Sequence, residues 1–151
     1  MEVKLFTNEI LVNAANERIK TILENIQNIL KWDSEIGDVS SMGNQQFAIL
    51  RKGAALNKQE IINVISTSDS VTYVSTTGKI EYRVSWIFDK VNNHVTNLKQ
   101  VVYLNEKNAF LSIAEIIRPL IQNAFKENLQ VLKVVCEQEE NIANASGFTN
   151  R

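Results

Sequence analysis

One cysteine, one histidine and one proline occur among 151 residues, and each scarcity excludes something. With Cys136 alone, no intramolecular disulfide can form, and a reducing compartment is the simpler setting. His94 is the single histidine and sits in an Asn-rich turn, so neither a Ser-His-Asp nor a Cys-His arrangement is expected. One His and one Cys do not build a zinc site by themselves. No glycine-rich phosphate loop appears, and no cofactor is expected. Net charge is also scarce: 16 basic against 17 acidic residues leave −1, with the basic residues scattered. No broad field draws the chain to nucleic acid or to an anionic membrane. No apolar run approaches the roughly 20 residues of a bilayer span, so no integral membrane segment is expected. Glu2, Lys4, Asn8 and Glu9 interrupt the first apolar stretch, unlike the core of a signal peptide. A cytoplasmic protein is the expectation, in which the sequon Asn144-Ala145-Ser146 goes unglycosylated.

What is present is an ordinary globular composition, 44% hydrophobic and 22% charged, at the length of one domain. Residues 2–13 alternate and favour a strand. The period then changes: Ile19, Ile22, Leu23, Ile26, Ile29 and Leu30 recur at steps of three and four, as one buried helical face requires. Asn16 is placed to cap this helix, with Glu17 in the first turn where negative charge suits the dipole. The run "NIQNIL" reads as a second short helix that stops at Trp32.

Strand follows strand after that, near 37–42, 46–54, 59–67, 71–77, 80–90 and 95–105, separated by short turn signals such as Thr77-Gly78-Lys79 and Asn92-Asn93-His94. Connections this short join antiparallel neighbours in a meander. Tyr82, Val84, Trp86 and Phe88 share one face of their strand, and Arg83 lies on the other. From Ala109 to about Glu140 the helical period returns, for a helix of roughly 48 Å. Pro119 removes one backbone donor, and a kink is expected just before it.

This order resembles the START-like (SRPBCC) superfamily, which includes polyketide cyclases and dehydratases, lipid-transfer proteins and Bet v 1-like allergens. The likeness rests on Val12, Ala14, Ala15, Glu17, Arg18, Ile19, Leu23 and Trp32, on the hairpin from Gly78 to Thr96, and on "NLQVLKVVCE" near the end of the last helix. Two features depart from it: Ser34 follows the first tryptophan where a proline is frequent, and no glycine-rich loop occurs around residues 42–46. The resemblance implies an α+β helix-grip fold. In that fold a curved antiparallel sheet of six to seven strands wraps a long C-terminal helix spanning about 110–138, and two short helices follow the first strand. Residues 1–140 would form this domain, and residues 141–151 a frayed tail. It further implies a cavity between sheet and helix for a small hydrophobic or amphipathic ligand, with the helices ending at Trp32 closing one side.

Placing the long helix at 100° per residue puts Phe110, Ile113, Ile117, Ile121, Ala124, Phe125, Leu132 and Val135 in one arc, with Asn128 near its middle. An amide there either contacts a ligand or is satisfied by a protein partner, since leaving it bare costs roughly 1–3 kcal/mol. Trp32, Tyr73, Tyr82 and Trp86 combine apolar area with a polar handle and suit an amphipathic wall or a filled core. The candidate ligand-binding residues are therefore Trp32, Tyr73, Tyr82, Trp86, Phe110, Ile113, Ile117 and Asn128. Cys136 reads as inert packing, and Glu137, Glu139 and Glu140 as solvated. No charged residue is placed facing inward, which favours a hydrophobic or lipid-like ligand binder. The alternatives are a cyclase- or dehydratase-like enzyme, which needs an inward Arg, Tyr, Asp or Glu, and an interaction module resembling the activator of Hsp90 ATPase.

Overall fold

The alternation of the first residues becomes β1, Glu2–Val12, whose pairing with the last strand closes one edge of the sheet. The computed structural model describes residues 2–53, 57–105 and 111–149. After β1 come α1, Asn16–Glu24, a single 3-10 turn at Ile26–Asn28, and α2, Ile29–Trp32. The break between the two short helices falls at Asn25, whose side-chain oxygen accepts from Gln27 N. Asn16 is the first residue of α1 and does not cap it; its side-chain oxygen instead accepts from the Thr96 hydroxyl at 2.5 Å. That bond fastens α1 to the sheet.

The meander follows as β2 (Ile36–Gly43), β3 (Gln46–Arg51), β4 (Gln59–Ser66), β5 (Ser70–Thr76), β6 (Tyr82–Asn92) and β7 (Val95–Asn105). Every pairing is antiparallel, and the seven strands are ordered β1-β7-β6-β5-β4-β3-β2. This is the helix-grip α+β architecture, with the curved sheet around the C-terminal helix. At the tight β2–β3 turn Gly43, Asn44 and Gln45 all take positive φ, which Gly and Asn tolerate best. β6 starts two residues later than the alternation suggests. The side-chain amide of Asn57 donates to Ile80 O at 2.7 Å and accepts from Ile80 N at 2.8 Å. It satisfies the backbone groups that a neighbouring strand would otherwise engage.

The last element, α3, runs Leu111–Thr149 and is continuous through Pro119. Leu129 and Leu132 are almost wholly buried, each contributing roughly 1.5–3 kcal/mol of apolar transfer. Phe125 meets Phe6 of β1 edge to face at 5.5 Å between centroids. Polar bonds fix the same contact: Asn8 donates to Gln122 O, and Gln122 Nε2 donates to Thr7 O. Further along, Glu137 accepts from Asn13 N at 2.9 Å and pairs with Lys133. It is thus a tie between α3 and the end of β1, not the freely solvated group expected from the sequence. Cys136 is fully buried in the core.

Candidate functional site

Side chains at alternate positions on the concave face leave a cavity of about 370 Å³ between sheet, α2 and α3. Ile62, Val84, Val102, Leu104 and Leu5 form its apolar floor, and Ile29, Ile121 and Phe125 close it from the helices. The exposed members of its wall are Ser34 and Glu35 after α2, and Ala124 and Glu127 on α3, so the mouth lies between these two segments.

The aromatic wall is built by packing edge to face. Trp86 lies against Trp32 at 5.7 Å and against Tyr73 at 4.6 Å between ring centroids. The Tyr73 hydroxyl donates to Leu23 O at 2.5 Å, tying β5 to α1, and burial raises its pKa above the ordinary tyrosine value. Tyr73 therefore gives the cavity its ring and not its hydroxyl. The indole N–H groups of Trp32 and Trp86, and the Gln100 amide nitrogen, are buried without a hydrogen-bond partner among the described residues.

One end of the cavity is strongly polar. Arg51 Nη2 donates to Glu60 Oε1 at 2.7 Å and to the Tyr82 hydroxyl at 3.0 Å, while that hydroxyl donates to Glu60 Oε1 at 3.0 Å. The other Glu60 oxygen accepts from Asn57 at 2.8 Å and from Ser75 at 2.9 Å. A fully buried carboxylate thereby has two partners on each oxygen, which is what its burial demands. Burial works against the Arg51 charge, but Tyr82, Glu60 and Asp33 around it raise its pKa above the usual guanidinium value. Burial, then the adjoining Glu60, raise the Tyr82 phenol as well, against the pull of Arg51.

Asp33 sits where α2 ends. Its Oδ1 accepts from Glu35 N at 3.0 Å, and its Oδ2 lies 3.7 Å from Arg51 Nη1. Burial raises its pKa above 3.8, opposed mainly by Arg51. The expectation of a cavity without inward charge is corrected here: Asp33, Arg51 and Glu60 all line it. Glu60 shares its register with Ile62 and Val64, and Arg51 with Ile49, so both turn to the concave side.

Of the residues singled out from the sequence, Trp32, Tyr73, Tyr82, Trp86 and Asn128 line the cavity. Phe110 lies outside the described residues. Ile113 and Ile117 are not in the wall, and Ile113 is half exposed. The contact made before Pro119 belongs to the fully buried Ala114, so Ile113, a 100° step away, turns to solvent. The cavity meets α3 only from Ile121 to Asn128. Asn128 is half-buried and its amide makes no hydrogen bond to any described residue. Among the described residues no group of three His, Cys, Asp or Glu side chains is placed to hold a metal ion. No described helix is long and apolar enough to cross a membrane.

No family model and no curated protein sequence matches the chain. Solved structures do. A START superfamily protein from Mycobacterium smegmatis superposes with a TM-score of 0.72 at 14% identity, over 91% of this chain and 97% of that one. The Zhui aromatase/cyclase from Streptomyces sp. R1128 gives 0.71 at 9% identity, over 91% and 95%. Norcoclaurine synthase from Thalictrum flavum, in complex with dopamine and hydroxybenzaldehyde, gives 0.60 at 10% identity, over 89% and 86%. The chain therefore has the START-like fold shared with Bet v 1-like proteins. At these identities the likeness defines the fold alone.

Proposed function

We propose that this protein binds a small hydrophobic or amphipathic molecule in the cavity between the sheet and α3. The observation that carries this reading is the cavity of about 370 Å³ with a continuous apolar floor and one polar end. That combination suits a drug-sized ligand oriented by a few polar groups. The edge-to-face wall of Trp32, Tyr73 and Trp86 supports it, because all three rings belong to residues that line this cavity. The candidate contacts are Trp32, Tyr73, Tyr82, Trp86 and Asn128, joined by Ile121, Phe125 and the Asp33–Arg51 end.

Both tryptophans of the chain line the cavity, so intrinsic fluorescence reports on its occupancy. Titration with a small amphiphile is expected to shift and saturate this signal, and Trp86→Ala to weaken binding. Native mass spectrometry of protein from its own source is expected to show a co-purified apolar molecule. No response to a panel of apolar probes sinks the reading.

One observation favours the enzyme alternative as a second reading. The Tyr82 hydroxyl stands at 3.0 Å from both Arg51 and Glu60 in the cavity wall, and a cyclase or dehydratase needs such an inward group to move a proton. Turnover of a reactive polyketide-like substrate, lost in Tyr82→Phe with binding retained, is its test.

A further inference from the structure

Four carboxylates line the cavity among the described residues, Asp33, Glu35, Glu60 and Glu127, against one basic group, Arg51. Glu60 is committed to protein: its oxygens already take Arg51, Tyr82, Asn57 and Ser75. Arg51 is committed too, with Nη2 on Glu60 and Tyr82 and Nη1 facing Glu35 and Asp33. Three of its five N–H donors are thereby used on protein before any ligand arrives. Asp33 is the exception. Its side chain is 8% exposed, against 63% for Glu35, and its Oδ2 makes no hydrogen bond to any described residue. Arg51 Nη1 lies at 3.7 Å, beyond hydrogen-bond reach. A carboxylate oxygen that lines a cavity, is ion-paired but not hydrogen-bonded, and keeps accessible surface has room to accept a ligand's donor.

Taking the binding reading above as given, we propose that the cavity selects amphiphiles by their head group. It holds a protonated amine or a hydroxyl at Asp33 Oδ2 and disfavours a carboxylate, while the apolar floor takes the tail. A donor completes the coordination of Asp33, and a cation also offsets the surplus negative charge of Asp33, Glu35 and Glu127. A carboxylate head meets that surplus in a partly desolvated mouth, where like charges repel more strongly than in water.

Octylamine, octanol and octanoate share one tail and differ only in the head. Isothermal titration of each into the full chain near neutral pH, at constant ionic strength, reads the selection directly. The amine is expected to bind tightest, the alcohol next, and octanoate at least about tenfold weaker than the amine. Asp33→Asn keeps the acceptor for Glu35 N and removes the charge. It is expected to bring amine and octanoate within about threefold, with octanol changed by less than about twofold. Loss of packing alone moves all three together. Octanoate binding as tightly as the amine overturns the proposal and leaves cavity binding standing. A ranking unchanged in Asp33→Asn overturns the assignment to Asp33. Silence from all three ligands, in heat and in tryptophan fluorescence, removes the binding reading and this proposal with it. The series on the unaltered chain decides head-group selection even where the variant folds poorly.

Discussion

The side-chain amide of Asn57 occupies the space that a side chain at Gly78 would need. A Cβ at Gly78 would stand 2.6 Å from Asn57 Cγ and Nδ2 and 2.7 Å from Oδ1. The same amide bridges Ile80 and Glu60, so a glycine in the β5–β6 connection determines whether the polar end of the cavity can assemble. Gly78→Ala is expected to push Asn57 off both partners, at a cost of roughly 1–3 kcal/mol. Urea unfolding measures it; a change below a few tenths of a kcal/mol would show that the amide relocates freely.

Arg51 and Glu60 form a nearly dry pair, and removing one partner strands the other. Arg51→Met and Glu60→Leu are each expected to destabilise the fold by about 3–5 kcal/mol, whereas the double variant costs clearly less than the sum. A double-variant thermodynamic cycle by chemical denaturation tests this. Additive losses would mean that Asn57, Ser75 and Tyr82 hold Glu60 without the guanidinium.

The extent to which this site is legible in the sequence follows from its strand register. Val84 and Trp86 announce the inward face of β6, and Tyr82 follows by alternation. The same rule carried one step past Ile62 reaches Glu60, and one step past Ile49 reaches Arg51. Both are charged residues at strand ends, where too few apolar neighbours remain for the alternation to mark them as inward. Two features have no local signal. The pairing of Asn57 with Ile80 joins residues 23 apart through a side chain acting as a strand surrogate. The phase of α3 before Pro119 depends on Ala114 taking the close contact that the larger Ile113 and Ile117 were expected to make. The fold itself was open to reading because changes of hydrophobic period, from two to 3.6 and back, mark where strand and helix exchange, and turn residues separate the strands between.

Asp33 carries a stability cost that depends on pH. Its folded-state pKa is raised above 3.8, principally by burial, so the folded chain holds this proton more tightly than the unfolded chain. The favourable contribution present at acid pH is lost as pH rises from about 3.8 through the raised folded value. Asp33→Asn is therefore expected to melt higher than the natural chain at neutral pH, with the gain shrinking toward pH 4. Thermal melts across that range measure it. A variant less stable at neutral pH would show that the attraction to Arg51 outweighs burial.

Asn128 presents the sharpest contrast between a structural and a ligand-directed polar group. Its amide lines the cavity, is half-buried and has no hydrogen-bond partner among the described residues, so Leu at this position strands nothing. Asn128→Leu is expected to leave stability level or to raise it by up to about 1 kcal/mol, because apolar area is gained on an apolar arc. Affinity for a polar-headed amphiphile should fall, while an alkane-like probe binds as before or better. Thermal melts and paired titrations of octanol and a plain hydrocarbon on the one variant separate the outcomes. A loss of roughly 1–3 kcal/mol with both ligands affected alike would place Asn128 among the structural amides, beside Asn57 and Asn8.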